Sequence, residues 1–168
     1  MLTYRVRQFI AAVTARVSPE ERAWVEQELA SLQDLFFGMS VVDQRHCLDV
    51  AREALRRAGE KTNKKLLTQA ALLHDCGKQA GELRLWDRVA IVLGKKIFGR
   101  RTQRWASKGR GLYHAFYIHY EHPEIGAELV RMHGSGETLC ALIAGHHKAP
   151  SSGDAPEAKL LYFADQQH

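Results

Sequence analysis

The chain has 168 residues, of which 45% are hydrophobic and 26% charged, with a formal net charge of +5 and three cysteines. That length supports one domain whose core holds without staples, and the composition excludes a disordered or fibrous chain. No apolar run reaches the roughly 20 residues needed to span a bilayer, and the odd cysteine count without CxxC spacing argues against a disulfide framework. Cys47, Cys76 and Cys140 read as reduced, buried small residues.

Almost every segment has helical periodicity, which predicts an all-α single-domain helical bundle. Residues 4–16 form the first predicted helix. Its short apolar stretch between arginines lacks the h-region and cleavage site of a signal peptide, so the expected location is cytoplasmic. Ser18-Pro19-Glu20-Glu21 is a helix start with a Ser cap, Pro in the first helical position and Glu three residues after the cap. That helix is expected to run to Phe37 and stop at Gly38. The next spans about 43–57, with Cys47, Val50, Ala51, Ala54 and Leu55 as its buried stripe and Gly59 closing it. A further helix starts near Thr62 or Asn63 and ends at His74-Asp75, with Gly77 placed as its terminator. Helices follow over 85–98, 123–133, 137–146 and 156–165. The aromatic stretch 113–120 is the one place with strand-like alternation, and helix is open there too.

The charge is uneven. Residues 84–110 hold nine Lys or Arg and one acid, a local +8, so the rest of the chain sums to −3. This basic insert admits three readings: a solvated amphipathic helix on the core, a lid or positive funnel for an anionic substrate, and a membrane-surface contact through 84–105 anchored by Trp86, Phe98 and Trp105. Nothing in it matches a nucleic-acid-binding motif.

Imidazoles and carboxylates recur along the chain. His46 lies near the start of its helix and, taken alone, reads as a partly buried His with a polar tip. His74-Asp75 closes an apolar helix, where His can also act as a favourable C-terminal residue. Pro123 in a first helical position would put His122 at a helix entrance. His146-His147 follows an apolar helix, and two adjacent histidines cannot both point into one core. Asp165 closes Leu160-Leu161-Tyr162-Phe163-Ala164, and is either at the surface or paired with a cation.

The order of these pieces is more specific than any of them. His46, His74-Asp75-Cys76-Gly77-Lys78, His122-Pro123-Glu124-Ile125-Gly126, His146-His147 and Asp165 together resemble the HD-domain superfamily of metal-dependent phosphohydrolases, and its HDIG-type subgroup in particular. The resemblance covers about residues 43–165, behind N-terminal helices in 1–38. It implies a helical fold and hydrolysis of a phosphomonoester or phosphodiester, often in a nucleotide, so the expected partner is a small anionic phosphate ester. It also implies one or two divalent transition-metal ions. A first site maps onto His46, His74, Asp75 and Asp165; a second maps onto His122, His146 and His147, with Asp75 bridging. Lys78 matches the family's lysine beside the metals, and Asp75 and Lys78 are the expected catalytic pair. His and carboxylate ligands without thiolate suit Mn²⁺, Fe²⁺, Co²⁺ or Zn²⁺. His114 and His119 read as packing or substrate-contact residues.

Two departures narrow the reading. Phosphodiesterases of the HD-GYP type carry a Gly-Tyr-Pro stretch after the paired histidines, and here Lys148-Ala149-Pro150 follows. Some relatives add a Glu ligand four residues before the first His, where this chain has Val42. The alternatives are a dinucleotide or cyclic-nucleotide phosphodiesterase and a non-catalytic, metal-containing module that binds a nucleotide.

Overall fold

The computed structural model of the protein describes residues 15–81, 91, 93–94, 96–106 and 113–168. The helix expected over 4–16 lies outside these residues, apart from its last two positions, which are not helical. Of the one expected over 85–98, residues 91, 93, 94 and 96–98 are described, and they are helical. Among the described residues there is no strand, and the fold is all-α.

Helix α1 (Pro19–Leu29) starts as its sequence requires. The Ser18 hydroxyl accepts from the Glu21 amide at 3.2 Å, and Glu21 Oε2 accepts from the Ser18 amide at 2.9 Å, a complete capping box. The helix does not continue to Phe37. Ala30 adopts φ 49°, a 3₁₀ turn covers Ala30–Leu32, and α2 (Gln33–Phe37) follows. No Gly or Pro marks this break. A tertiary contact supports it, because Gln69 Nε2 donates to the Glu28 carbonyl at 3.0 Å.

Helix α3 (Val41–Arg57) is capped by Ser40, whose side chain accepts from the Asp43 amide. Its buried face carries Cys47, Leu48, Val50, Ala51 and Ala54; Leu55, expected in that stripe, is only half-buried. Ala58 leaves the helix in an extended conformation, so Gly59 is not used as a left-handed terminator. Helix α4 (Lys64–Leu73) is capped by Asn63, whose own amide donates to Glu157 Oε1 at 2.6 Å. That bond ties the start of α4 to the start of α8 (Pro156–Asp165). Leu67 and Ala70 to Leu73 are fully buried, so α4 is the central helix of the core.

After the His74-Asp75 turn, a 3₁₀ segment covers Cys76–Gly81. Gly77 does not have a positive φ and is not a left-handed cap. It is required for another reason: a Cβ there would collide with the His122 carbonyl oxygen and lie 2.7 Å from the Gly126 amide nitrogen. Glycine thus lets the backbone carrying Asp75 touch the backbone carrying His122.

A short helix α5 (Gln103–Ala106) follows a 3₁₀ turn over Gly99–Thr102. Trp105 packs edge-on against Phe116, with ring centroids 5.0 Å apart, and Thr102 Oγ1 meets the Tyr120 hydroxyl at 2.6 Å. These contacts hold the described end of the basic insert to the start of α6 (His114–Met132). Helix α6 corrects a second expectation. It is continuous from His114, takes in the aromatic stretch except its cap residue Tyr113, and runs through Pro123, so His122 lies in mid-helix and not at a helix entrance. Helix α7 (Glu137–Gly145) and α8 fall where the sequence places them. Side chains from α1 to α4 and α6 to α8 share one hydrophobic cluster that includes Val25, Phe36, Leu48, Leu72, Val130, Ile143 and Leu161.

Candidate metal centre

Three helix ends and two helix interiors converge at one end of α4. His74 and Asp75 occupy the turn after α4, His146-His147 the turn after α7, and Asp165 the last residue of α8. His46 reaches them from α3 and His122 from α6. Every residue expected from the sequence to bind metal therefore lies in this one cluster.

The ring orientations follow from backbone carbonyls. His74 Nδ1 lies 2.8 Å from the Ala71 carbonyl, His122 Nδ1 2.8 Å from the His119 carbonyl and His146 Nδ1 2.7 Å from the Ile143 carbonyl. A carbonyl only accepts, so each Nδ1 donates, and in the neutral ring each Nε2 is left as a lone pair. The Nε2 atoms of His74 and His122 face carboxylate oxygens, and that of His74 also the ring nitrogen of His46. His74 Nε2 is 3.3 Å from His46 Nε2, 3.5 Å from Asp165 Oδ1 and 3.7 Å from Asp75 Oδ2. His122 Nε2 is 3.2 Å from Asp75 Oδ1. His122 Nε2 and His146 Nε2 are buried and make no hydrogen bond.

Lone pairs facing carboxylate oxygens in a buried site repel one another unless a cation lies between them. His46, His74 and Asp165 each offer a ligand atom within 4.8 Å of the others, and so do His122, His146 and His147. Asp75 stands between the two sets: Oδ2 faces His46 and His74, and Oδ1 faces His122. The donors fit a divalent metal of the borderline class. A third group, Cys47 with His74 and Asp75, fits less well. Cys47 Sγ lies 3.7 Å from His74 Nδ1, the nitrogen already committed to the Ala71 carbonyl.

Burial opposes a proton on His74, but Cys47, Asp75 and Asp165 outweigh it and raise the ring well above an ordinary imidazole, so in the metal-free protein a proton supplies the positive charge between these groups. Burial disfavours charge on Asp75, but Lys78, His74, His122 and His46 outweigh it and hold the carboxyl well below the usual range. Burial likewise opposes ionisation of Asp165, and the neighbouring His46 and His74 rings outweigh it. Burial, with His74 and His147 nearby, lowers His146 well below an ordinary imidazole. Burial and the neighbouring His122 bring His147 down to about 4. Both are neutral at pH 7, the state a ligand requires. Lys78 Nζ donates to Asp75 Oδ2 at 2.5 Å. The site opens where His147 (45% exposed), His46, Lys78 and Asp165 reach solvent, whereas Asp75 and the three ring-locked histidines are buried.

Asp43 is not among the candidates the sequence marks. It is buried one turn before His46, and its charge helps to keep Lys78 protonated against burial. An acid at i−3 from a candidate ligand, on an otherwise apolar face, was the available signal. His114 stacks on Tyr117, and His119 gives its backbone carbonyl to the His122 ring and packs its own ring against Tyr120 and His122.

The sequence model of the HD domain family matches residues 44–168, about three quarters of the chain. The protein therefore belongs to the HD-domain superfamily of metal-dependent phosphohydrolases. Comparison with curated proteins and with solved structures returned no match. Among the described residues, no helix is long and apolar enough to cross a membrane.

Proposed function

We propose that the protein hydrolyses a phosphomonoester or phosphodiester of a nucleotide, as an HDIG-type member of its family. The observation that carries this reading is the convergence of buried, unpartnered imidazole lone pairs with two ionised carboxylates. His46, His74, Asp75 and Asp165 would hold one divalent ion, and His122, His146 and His147 a second, with an oxygen of Asp75 on each side. Such ions supply Lewis acidity, drawing charge off phosphoryl oxygens and acidifying water.

The protein's own groups do the rest. Carbonyls of Ala71, His119 and Ile143 hold three rings in one tautomer, so no ring has to reorient on binding. Lys78 keeps Asp75 ionised and stands beside it as a mobile positive charge, able to turn to a phosphoryl oxygen and steady negative charge there. The short, rigid turn between α4 and the 3₁₀ segment fixes Asp75 to the central helix, and Gly77 allows α6 to approach it.

The test is a panel of mononucleotides, dinucleotides, cyclic nucleotides and simple phosphate esters, incubated with protein loaded with Mn²⁺ or Fe²⁺. Cleavage that is lost on chelation and in Asp75→Asn supports the reading and identifies the ester class. Intact, metal-loaded protein that cleaves nothing on the panel overturns it. Nucleotide binding without turnover would assign the protein to the regulatory class.

A further inference from the structure

We infer that the outer side of the basic insert, where Leu93, Ile97 and Phe98 are exposed among Lys96, Arg101 and Arg104, docks on an anionic lipid bilayer. None of these residues belongs to the metal centre, and the inference does not depend on the proposed hydrolysis.

The described residues of 91–98 are helical, and their two sides differ. Ile91 and Gly94 are buried. Ile91 clusters with Ala115 and Phe116, and Gly94 lies so near α6 that a Cβ there would come 2.6 Å from Phe116 Cζ. Residues at i, i+3 and i+4 share a helix face, which groups Leu93, Lys96 and Ile97 away from that contact. Leu93 is 51% exposed, Ile97 68% and Phe98 46%. Single apolar side chains at a surface are ordinary, but three so close along one helix form a patch that no core of this chain covers. Trp105 is not part of it. Its ring is held by Phe98, Phe116 and Tyr113, at centroid distances of 5.0, 5.0 and 5.9 Å. The side chains able to leave water on docking are therefore Leu93 and Ile97, with the exposed part of Phe98.

Charge selects the occupant. Over 91–106 the chain carries Lys95, Lys96, Arg100, Arg101 and Arg104 and no acid. Lys96, Arg101 and Arg104 are exposed in the same stretch as the apolar patch. A second copy docking through the same face would set these cations against their own equivalents, which opposes association. A nucleic acid would engage the cations but leave Leu93 and Ile97 facing phosphates. A bilayer with anionic headgroups takes both kinds of side chain: aliphatic groups enter the acyl boundary while Lys and Arg stay at the phosphates.

The test is sedimentation of the full chain with vesicles of equal parts phosphatidylglycerol and phosphatidylcholine at near-physiological salt. Wild type should pellet with these vesicles and stay in solution with vesicles of phosphatidylcholine alone. Leu93→Ser combined with Ile97→Ser should lose about tenfold or more in partitioning, and so should Lys96→Gln combined with Arg101→Gln. Both pairs change exposed side chains, so circular dichroism should show each melting close to wild type. Wild type that stays in solution with the anionic vesicles overturns the inference. A folded variant of either pair that partitions as wild type does also overturns it, because the apolar and the cationic groups are both required. Sedimentation equilibrium without lipid covers the other occupant: a wild-type dimer that the serine pair converts to monomer would give the patch to a second copy and overturn the inference.

Discussion

Replacing Gly77 by alanine tests whether the site depends on backbone-to-backbone packing. A Cβ at Gly77 meets only backbone: the His122 carbonyl oxygen, the Gly126 nitrogen at 2.7 Å and the His122 carbonyl carbon at 2.9 Å. All lie inside the 3.0 Å that real Cβ atoms respect, and none belongs to a flexible side chain that could step aside. Relief therefore requires α6 to move from the Asp75 turn by on the order of 1 Å, and overpacking of this kind costs up to about 3 kcal/mol. For a chain of this size that lowers the melting temperature by roughly 6–12 °C. The same shift would pull His122 Nε2 from Asp75 Oδ1, now 3.2 Å apart, and should reduce phosphoesterase activity by about 100-fold. Gly126→Ala is the control. Its Cβ would meet the Gly77 nitrogen at 3.1 Å, Cys76 Sγ at 3.2 Å and Ile143 Cγ2 at 3.3 Å, contacts that can relax by tenths of an ångström. Alanine also gains about 1 kcal/mol of helix propensity over glycine, so this variant should stay close to wild type. Thermal unfolding followed by circular dichroism on metal-free protein reads both. A Gly77→Ala protein that melts within about 2 °C of wild type would show that the backbone contact at Gly77 does not constrain the fold.

Three further outcomes follow from other parts of the molecule. Ala30 stands at φ 49°, a conformation that costs a side chain about 1 kcal/mol, so Ala30→Gly should raise the melting temperature by roughly 2–4 °C in calorimetry. Burial pushes the Glu21 carboxyl up, but the Ser18 amide, Arg45 and Arg52 outweigh it and depress its pKa. A depressed acid stabilises the fold above its unfolded value, near 4.3, and that contribution disappears as pH falls through the folded value. Glu21→Gln should therefore cost about 1–2 kcal/mol in urea unfolding from pH 7 to 5, with the gap to wild type closing below about pH 4; a constant gap would contradict the assignment. Lys78→Ala leaves Asp75, 2% exposed, without its cation, and should destabilise metal-free protein by about 3 kcal/mol. In metal-loaded protein the same change should lower turnover about 100-fold while the metal content holds.

How much of this was legible in the sequence depends on how far each cause lies along the chain. The Ser18 cap, Asn63 and Pro156 act within one helical turn, and each helix begins where those residues place it. The candidate site was legible as an order of His and Asp residues, and the structure brings every one of them together. The misreadings share one origin. Gly77 has the local look of a helix terminator, but its neighbours are His122 and Gly126, far along the chain. Pro123 was read as a helix start because proline is commonest in the first turn, but α6 runs through it. The break at Ala30 is supported by Gln69 on another helix, a contact no window around residue 30 contains. Asp43 was missed because its relation to Lys78 exists only once α3 and the 3₁₀ segment have packed.

The central claim is that the clustered imidazoles and carboxylates are a binuclear metal centre. Elemental analysis of the full chain, purified without chelator and again after reconstitution with Mn²⁺ or Fe²⁺, measures it directly, with Asp75→Ala alongside. About two transition-metal ions per chain are expected in wild type, with both weakened or lost in the variant, since Asp75 faces both ligand sets. Wild-type protein that stays folded and binds no ion after reconstitution would contradict it.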